Sequence, residues 1–486
     1  MRASRVISLV LAVASASISS SIRDALAQTS GQSSPNCDAS DPDMRISGCT
    51  AAILSGTADD ADLTILYFRR GMAYEAKRQW DEAIQDLTQA IRLNARNAST
   101  FNNRGVAYEE KHEYDLAIHD FTEAISLEPD FAAAYSNRGV VFQAQGQFNL
   151  AIQDFTQTIS LRPTDAGAFN NRASAYIASR QYDWGIKDYT TALRMVPDNV
   201  LLITNRGTAF LAAGQYDRAL QDFSRAIELK PGFEPAYYNR ANTYLDKGQF
   251  DLAVNDLTKA ISVEPDDVRA YIWRGNAYAT NRQFDLARQD YNKVISLNPL
   301  TPNLAIAFND RGGTYEEEGQ LDLALQDFTK AIALDSNYEH AFLARASLYA
   351  HTREYALAIQ DYTQALRLHP DDGLALNGRC YTRAQVGVEL EAALADCNEA
   401  VRARPGDAEV LDSRGFVYLR LGRFDEAIKD YDAALTKDPK KAESLFGRGI
   451  AKLKSGDLSG GNADIAASAA IDPKVASTFS DYGVKP

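Results

Sequence analysis

The sequence predicts an all-α protein, a right-handed superhelical solenoid of about twelve helix-turn-helix repeats. Three observations support this fold class: an Asn-Arg-Gly tripeptide or a close variant returns about every 34 residues, small and aromatic residues follow it at fixed offsets, and a proline closes most periods. A period of this size is typical of a stack in which each repeat buries its apolar face only against its neighbours. The arginine of the tripeptide marks twelve repeats, at Arg70, Arg104, Arg138, Arg172, Arg206, Arg240, Arg274, Arg311, Arg345, Arg379, Arg414 and Arg448.

The first 27 residues are predicted to be a signal peptide. They combine a basic start at Arg2 and Arg5, an apolar run, and a small-residue cleavage site at Ala25-Leu26-Ala27. The apolar run is short and rich in serine, which favours cleavage after Ala27 over an uncleaved membrane anchor. We therefore expect an exported protein, located in the periplasm or beyond.

Residues 28–63 are expected to form a flexible leader and an N-terminal capping helix. The leader is rich in serine and glutamine, and residues 40–54 have the pattern of a second helix from a degenerate repeat. A cap is needed because a terminal repeat has no neighbour on one side.

The formal net charge of −14 narrows the classes of partner. An acidic surface disfavours nucleic acid and anionic lipid. The charge has two interpretations, solubility of an extended protein or a preference for basic partners.

The repeat at residues 98–131 shows how the helices are predicted. Its first helix is indicated by residues spaced three and four apart, namely Phe101, Arg104, Gly105 and Tyr108. Its second helix has Ala117, Phe121, Ala124 and Ile125 on the inner face. Pro129 cannot continue a helix and therefore ends the repeat. Each repeat is thus expected to be an antiparallel helix pair.

These residues resemble the tetratricopeptide repeat, in which an aromatic residue, Gly, Tyr, Ala, an aromatic residue, Ala and Pro recur over 34 residues. One departure is constant: the large aliphatic residue usual before the glycine is arginine in all twelve copies. The resemblance implies a C-terminal cap at 476–486 and twelve repeats at 64–97, 98–131, 132–165, 166–199, 200–233, 234–267, 268–304, 305–338, 339–372, 373–407, 408–441 and 442–475.

The recurrent arginine has a recurrent partner in sequence. An aspartate follows it after sixteen residues, or after seventeen in the tenth repeat. We expect each arginine to form an ion pair with an aspartate across the helix seam, as in Arg104 with Asp120 and Arg206 with Asp222. The alternative is that the arginines bind carboxylates of a ligand.

An asparagine precedes the arginine in five consecutive repeats, at Asn103, Asn137, Asn171, Asn205 and Asn239. The resemblance implies that this slot lines the concave face, where asparagine ladders of O-GlcNAc transferase and of importin-type solenoids pair with the backbone of an extended peptide. An amide can donate and accept hydrogen bonds at once, which suits a peptide unit. Recent duplication of these repeats is the alternative explanation.

The four cysteines form two local pairs, Cys37 with Cys49 and Cys380 with Cys397. Disulfides are the expectation for an exported protein. Cys380 takes the glycine slot of its first helix and Cys397 the aromatic slot of its second, so the two thiols are expected to face each other. A redox switch at this pair is the alternative.

The sequence predicts no catalytic residue, no metal site and no cofactor, since no nucleophile constellation, ligand spacing or phosphate-binding loop is present. We expect a non-catalytic scaffold or adaptor that binds an extended peptide or a partner helix in the concave groove. An accessory subunit of a membrane-associated envelope complex for protein export or polysaccharide secretion is the alternative function. Neither the partner nor an oligomeric state follows from the pattern.

Overall fold

The computed structural model describes residues 36–485. The predicted signal peptide and the first residues of the leader lie outside this range. The chain divides into two compact units, an N-terminal unit that ends at Gly248 and a C-terminal unit that begins at Gln249.

The described part of the N-terminal unit is a stack of twelve helices. The helices α2 to α11 pair consecutively as the first and second helix of a repeat, α1 precedes the first pair, and α12 follows the last. Their bounds are α1 (Pro42–Leu54), α2 (Asp60–Ala76), α3 (Trp80–Leu93), α4 (Ala98–Glu110), α5 (Tyr114–Leu127), α6 (Ala132–Ala144), α7 (Phe148–Leu161), α8 (Ala166–Ala178), α9 (Tyr182–Met195), α10 (Val200–Ala212), α11 (Tyr216–Leu229) and α12 (Glu234–Asp246).

The C-terminal unit begins with α13, contains six helix pairs from α14 to α25, and closes with a short helix. Its helices are α13 (Phe250–Val263), α14 (Val268–Thr280), α15 (Phe284–Leu297), α16 (Thr301–Glu317), α17 (Leu321–Leu334), α18 (Glu339–His351), α19 (Tyr355–Leu368), α20 (Gly373–Val386), α21 (Leu390–Ala403), α22 (Ala408–Arg420), α23 (Phe424–Lys437), α24 (Ala442–Ser455), α25 (Leu458–Ile471) and α26 (Val475–Asp481).

The predicted all-α solenoid of about twelve helix-turn-helix repeats is confirmed: residues 36–485 form 26 helices and no strand. None of these helices has the length and apolar character that a membrane crossing requires.

Two first helices begin before the predicted start of their repeat. α2 begins at Asp60, because the Asp59 side chain caps it by accepting a hydrogen bond from the Asp62 backbone N–H at 2.8 Å. α16 begins at Thr301 with Pro302 in its first turn, a position that proline favours because its fixed φ suits the helix start. The seventh predicted repeat, residues 268–304, is longer than the 34-residue period, and its last residues extend α16.

The turn between the two helices of a repeat contains a residue in the left-handed conformation. Gly146 has φ of 73° and Gly214 has φ of 71°, which glycine adopts without a steric penalty. His112 takes the same conformation with φ of 60° in the second repeat. The turn geometry is therefore set by the helix pair, and the residue type adapts to it.

Close approach of the two helices depends on a small residue in the first helix. A Cβ added to Gly312 would lie 2.7 Å from Cε1 of Phe328, a ring that is buried in the facing helix α17. In the fourth repeat the small residues exchange places: Ala173 takes the glycine slot, and Gly185 takes the alanine slot of the second helix. The pair of slots, more than either residue, thus keeps the helices close.

We expect Gly312→Ala to lower the free energy of unfolding by about 1–3 kcal/mol, because the added methyl group overpacks the contact with Phe328. Gly313→Ala is the matched control on the same helix, since a Cβ there would meet no atom within 4 Å. It should be neutral or stabilise by up to about 1 kcal/mol through helix propensity. Urea denaturation followed by circular dichroism measures both, and equal effects would contradict this account of the seam.

Candidate functional site

A forked ion pair joins the two helices of a repeat. Arg104 donates from Nε to Oδ2 of Asp120 at 2.7 Å and from Nη2 to Oδ1 at 2.8 Å. Arg206 makes the same two bonds to Asp222, both at 2.8 Å. The same geometry recurs in Arg70–Asp86, Arg138–Asp154, Arg172–Asp188, Arg274–Asp290, Arg311–Asp327, Arg345–Asp361, Arg379–Asp396, Arg414–Asp430 and Arg448–Asp464.

The third nitrogen of the same guanidinium reaches the preceding repeat. Nη1 of Arg104 donates to the Thr88 hydroxyl at 3.0 Å, and Nη1 of Arg206 donates to the Thr190 hydroxyl at 3.4 Å. This partner was not predicted from the sequence, although a hydroxyl two residues after the aspartate recurs in it. The acceptors in the other repeats are Thr50, Thr122, Thr156, Ser224, Thr258, Asn292, Thr329, Thr363, Asn398 and Asp432.

Every nitrogen of Arg104 thus makes a hydrogen bond within the fold. Its guanidinium also lies near the rings of Phe101 and Tyr108, 5.8 and 5.7 Å from their centroids. Asp120 is only 1% exposed. This geometry favours the structural role of the arginine column over the alternative of ligand carboxylates.

A charge exchange tests the pair. Arg206→Asp and Asp222→Arg, each alone, should lower the free energy of unfolding by about 2–4 kcal/mol, because a largely buried charge then has no partner. The double variant should regain part of this loss, although not the bond to Thr190. Denaturant melts of the natural protein, the two single variants and the double variant give four free energies of unfolding. Together these yield the interaction energy between Arg206 and Asp222. Additive losses here and in the equivalent pair of Arg138 and Asp154 would contradict the ion pair.

The predicted groove residues lie in one register on the first helices α4, α6, α8, α10 and α12. We call them the asparagine surface, which comprises Asn103, Asn137, Asn171, Asn205 and Asn239. Four of the five are half-buried, and Asn205 is 9% exposed. The slot is therefore partly accessible along these repeats.

Neighbouring repeats are linked by amide hydrogen bonds along this surface. Asn137 Nδ2 donates to Asn102 Oδ1 at 3.0 Å, and Asn205 Nδ2 donates to Asn170 Oδ1 at 3.1 Å. Asn239 Nδ2 donates to the Thr208 hydroxyl at 3.3 Å. Each contact uses one amide hydrogen, so the second N–H of the same amide is not used by that bond.

The two remaining asparagines accept within their own helix. Asn103 Oδ1 accepts from Asn102 Nδ2 at 3.3 Å, and Asn171 Oδ1 accepts from Asn170 Nδ2 at 3.1 Å. The amides thus form two short chains, from Asn137 through Asn102 to Asn103 and from Asn205 through Asn170 to Asn171. This network orients the amides, a packing contribution that sequence analysis did not consider.

Two carboxyl groups lie one to two turns further along the first helices of repeats one and two. Burial raises the pKa of Glu75 from 4.5 to about 8, and no partner for its buried Oε1 lies among residues 36–485. Burial, with the adjacent Glu110 charge, raises the pKa of Glu109 to about 7. Near neutral pH, much of this carboxyl pair is therefore protonated and able to donate a hydrogen bond.

The raised pKa of Glu75 makes stability fall with rising pH. Folding favours the protonated acid, so the contribution is most favourable below pH 4.5 and is lost between about pH 4.5 and 8. Glu75→Gln should remove this dependence and be more stable than the natural protein by about 1–3 kcal/mol at pH 9. Denaturant melts of both proteins from pH 5 to 9 measure the difference.

The exposed residue Glu82 on α3 supplies the control for that series. Glu82→Gln should follow the pH dependence of the natural protein, because its side chain is exposed and no contact joins it to Glu75. A Glu75→Gln curve parallel to that of the natural protein would contradict the raised pKa.

The asparagine slot changes chemistry in the C-terminal unit. In the eighth repeat it holds Asp310, which accepts a hydrogen bond from Asn309 Nδ2 at 3.1 Å. Burial raises the pKa of Asp310 to about 6, and hydrogen bonds from Asn309 and Asn276 oppose that rise. The row of amides therefore gives way to a half-buried carboxyl group in this unit.

The four cysteines lie in two pairs with their sulfur atoms at disulfide distance, Cys37 with Cys49 and Cys380 with Cys397. All four are fully buried. The first pair ties the leader to α1, and the second joins α20 to α21 within the tenth repeat.

Comparison with known families identifies the repeat. Sequence models described as tetratricopeptide repeats match residues 98–131, 132–165, 238–303, 309–373, 343–408 and 408–441, and a model described as a TPR repeat matches 71–112 and 207–248. Together these matches cover about two thirds of the chain. No curated protein matches the sequence.

Solved structures of several repeat proteins are similar to the chain. Yeast Tom70 is 16% identical, with 82% of this chain and 96% of that chain covered and a TM-score of 0.42. A tetratricopeptide repeat protein from Parabacteroides merdae is 20% identical over 51% and 99% of the two chains, with a TM-score of 0.44. YrrB, a TPR protein with an unusual peptide-binding site, is 23% identical over 38% and 95%, with a TM-score of 0.33.

Proposed function

The chain belongs to the tetratricopeptide-repeat family, and from this premise we propose that it is a non-catalytic scaffold that binds an extended peptide segment of a partner protein. The observation that carries the proposal is the asparagine surface. Five amides occupy one slot of five successive first helices, and four of them are partly accessible. A regular row of amides matches the regular donors and acceptors of an extended backbone.

The hydrogen bonds between repeats support this function by orienting the amides. Asn137 and Asn205 are each held through one N–H by a side chain of the preceding repeat. Orientation before binding reduces the entropy lost when a ligand is bound. The remaining amide hydrogen of each side chain is the group that we assign to the peptide carbonyl.

The neighbouring carboxyl groups favour a peptide without a fixed negative charge at this end of the surface. Glu75 and Glu109 are buried acids with raised pKa values, and both ionise as the pH rises toward 8. The protonated acids donate to peptide carbonyls, and the ionised acids favour N–H donors or basic side chains.

We also propose that the protein acts outside the cytoplasm. Residues 1–27 have the sequence pattern of a signal peptide. Cysteine pairs at disulfide distance support export, because disulfides persist in oxidising compartments.

Capture of partners from an envelope extract tests the groove. The bait is the mature chain, compared with a variant in which Asn103, Asn137, Asn171, Asn205 and Asn239 are all alanine. A partner bound through the asparagine surface should be lost, or bind at least about tenfold more weakly, since several hydrogen bonds are removed together. Circular dichroism and a thermal melt establish that the variant is folded.

A control variant carries five alanines on the second helices of the same repeats. The replaced residues are exposed and share one slot, and they are His119, Gln153, Lys187, Gln221 and Asn255. This variant should retain the partner. Retention by the asparagine variant together with loss in the control would place the interface on the second helices and overturn the groove proposal.

A further inference from the structure

The C-terminal helix α26 packs back across the first helices of the last three repeats. The Phe479 ring lies 4.9 Å from the Phe446 ring on α24 and 5.4 Å from the Phe416 ring on α22, and Phe479 is 4% exposed. The Tyr482 ring lies 5.8 Å from the same Phe416 ring. The segment therefore contacts the eleventh repeat as well as the twelfth, which is the last.

The segment also makes polar contacts with the ninth, tenth and eleventh repeats. Gln385 Nε2 on α20 donates to the Tyr482 hydroxyl at 2.9 Å, and Arg420 donates to the Tyr482 backbone carbonyl. Arg353, in the turn after α18, donates to Asp481 Oδ2 at 2.8 Å. The helix α26 and the residue that follows it, Tyr482, thus contact elements of the ninth to twelfth repeats.

The covered surface includes slots equivalent to those of the amide network. Phe446 lies three residues before Gly449, as Asn102 lies three residues before Gly105. Phe416 follows Gly415, and Tyr381 on α20 lies 5.6 Å from Phe416 between ring centroids. We call Tyr381, Phe416 and Phe446 the aromatic surface. Three rings from three successive repeats form a surface against which other aromatic rings can pack.

The attachment of the segment is limited. Only Val475 and Phe479 are buried within α26, and the ion pair of Arg353 with Asp481 is solvent-exposed on both sides. A helix of this length has little stability of its own. The segment is therefore held by two rings, two valines (Val475 and Val484) and a few polar contacts, which a competing ligand can replace.

We propose that residues 475–484 are an intramolecular ligand of the aromatic surface, and that this surface binds a partner segment with two aromatic residues three positions apart. The spacing is that of Phe479 and Tyr482, which places both rings on one face of a helical turn. The tethered segment competes with the partner because its local concentration is high. Release of the segment opens the surface. This interaction goes beyond the peptide groove, since it involves other residues and another part of the chain.

The test uses the full-length protein and a fluorescent peptide with the sequence of residues 472–486. Fluorescence anisotropy measures peptide binding to the natural protein and to a tail variant, Phe479→Ala with Tyr482→Ala. The tail variant should bind the peptide at least about tenfold more tightly, because its own segment no longer competes. Adding Phe416→Ala to the tail variant should abolish binding. Ser480→Ala with Lys485→Ala, two exposed tail residues, should bind like the natural protein.

Equal affinity of the natural protein and the tail variant, or absence of binding to the tail variant, would overturn the proposal. A second measurement does not depend on the folding of any variant. Excess peptide added to the natural protein should accelerate amide hydrogen exchange in residues 475–484, and unchanged exchange while the peptide is bound would also overturn it. Binding by the asparagine variant should be normal, so failure of the groove proposal leaves this result intact.

Discussion

The forked contact between the arginine of the first helix and the aspartate of the second is the interaction on which the repeat geometry depends. An aliphatic residue at this slot would bury apolar area without fixing an angle, whereas a guanidinium paired through two nitrogens fixes both distance and orientation. Such a pair adds little net stability compared with a well-packed apolar residue. Its contribution is to specify how the helices sit beside the glycine, as at Gly105 and Arg104.

The same arginine also couples successive repeats. Its third nitrogen reaches a hydroxyl, amide or carboxylate oxygen of the preceding second helix, as from Arg104 to Thr88. In a solenoid, stability is approximately the sum of the repeats and of the interfaces between neighbours. Each of these arginines makes contacts both within its repeat and with the preceding one. Loss of an arginine therefore weakens a repeat and an interface together. The α1 helix takes part in this coupling through Thr50, which accepts from Arg70.

Much of the fold follows from the sequence because every repeat restates the same pattern. The period, the helix pairs and the sixteen-residue spacing from Arg104 to Asp120 are visible without coordinates. The threonine at Thr88 also belongs to the recurrent pattern. Its role as a hydrogen-bond partner could not be predicted, because the bond from Arg104 depends on how the neighbouring repeat packs. The path of α26 could not be predicted, since it depends on rings such as Phe416 that lie far from Phe479 in sequence.

The division of roles within the first helix explains why its outer slots can differ between repeats. Arginine and a small residue, usually glycine, form the contact between the two helices in each repeat. Neighbouring positions are therefore free of that constraint, and they carry amides at Asn102 and Asn103 but aromatic rings at Phe416 and Phe446. Amides tolerate water, whereas a row of exposed rings favours association. Phe479 and Tyr482 pack against those rings. Under the proposal the same contact gives the surface its selectivity, because only a segment that replaces both rings gains enough to displace the tail.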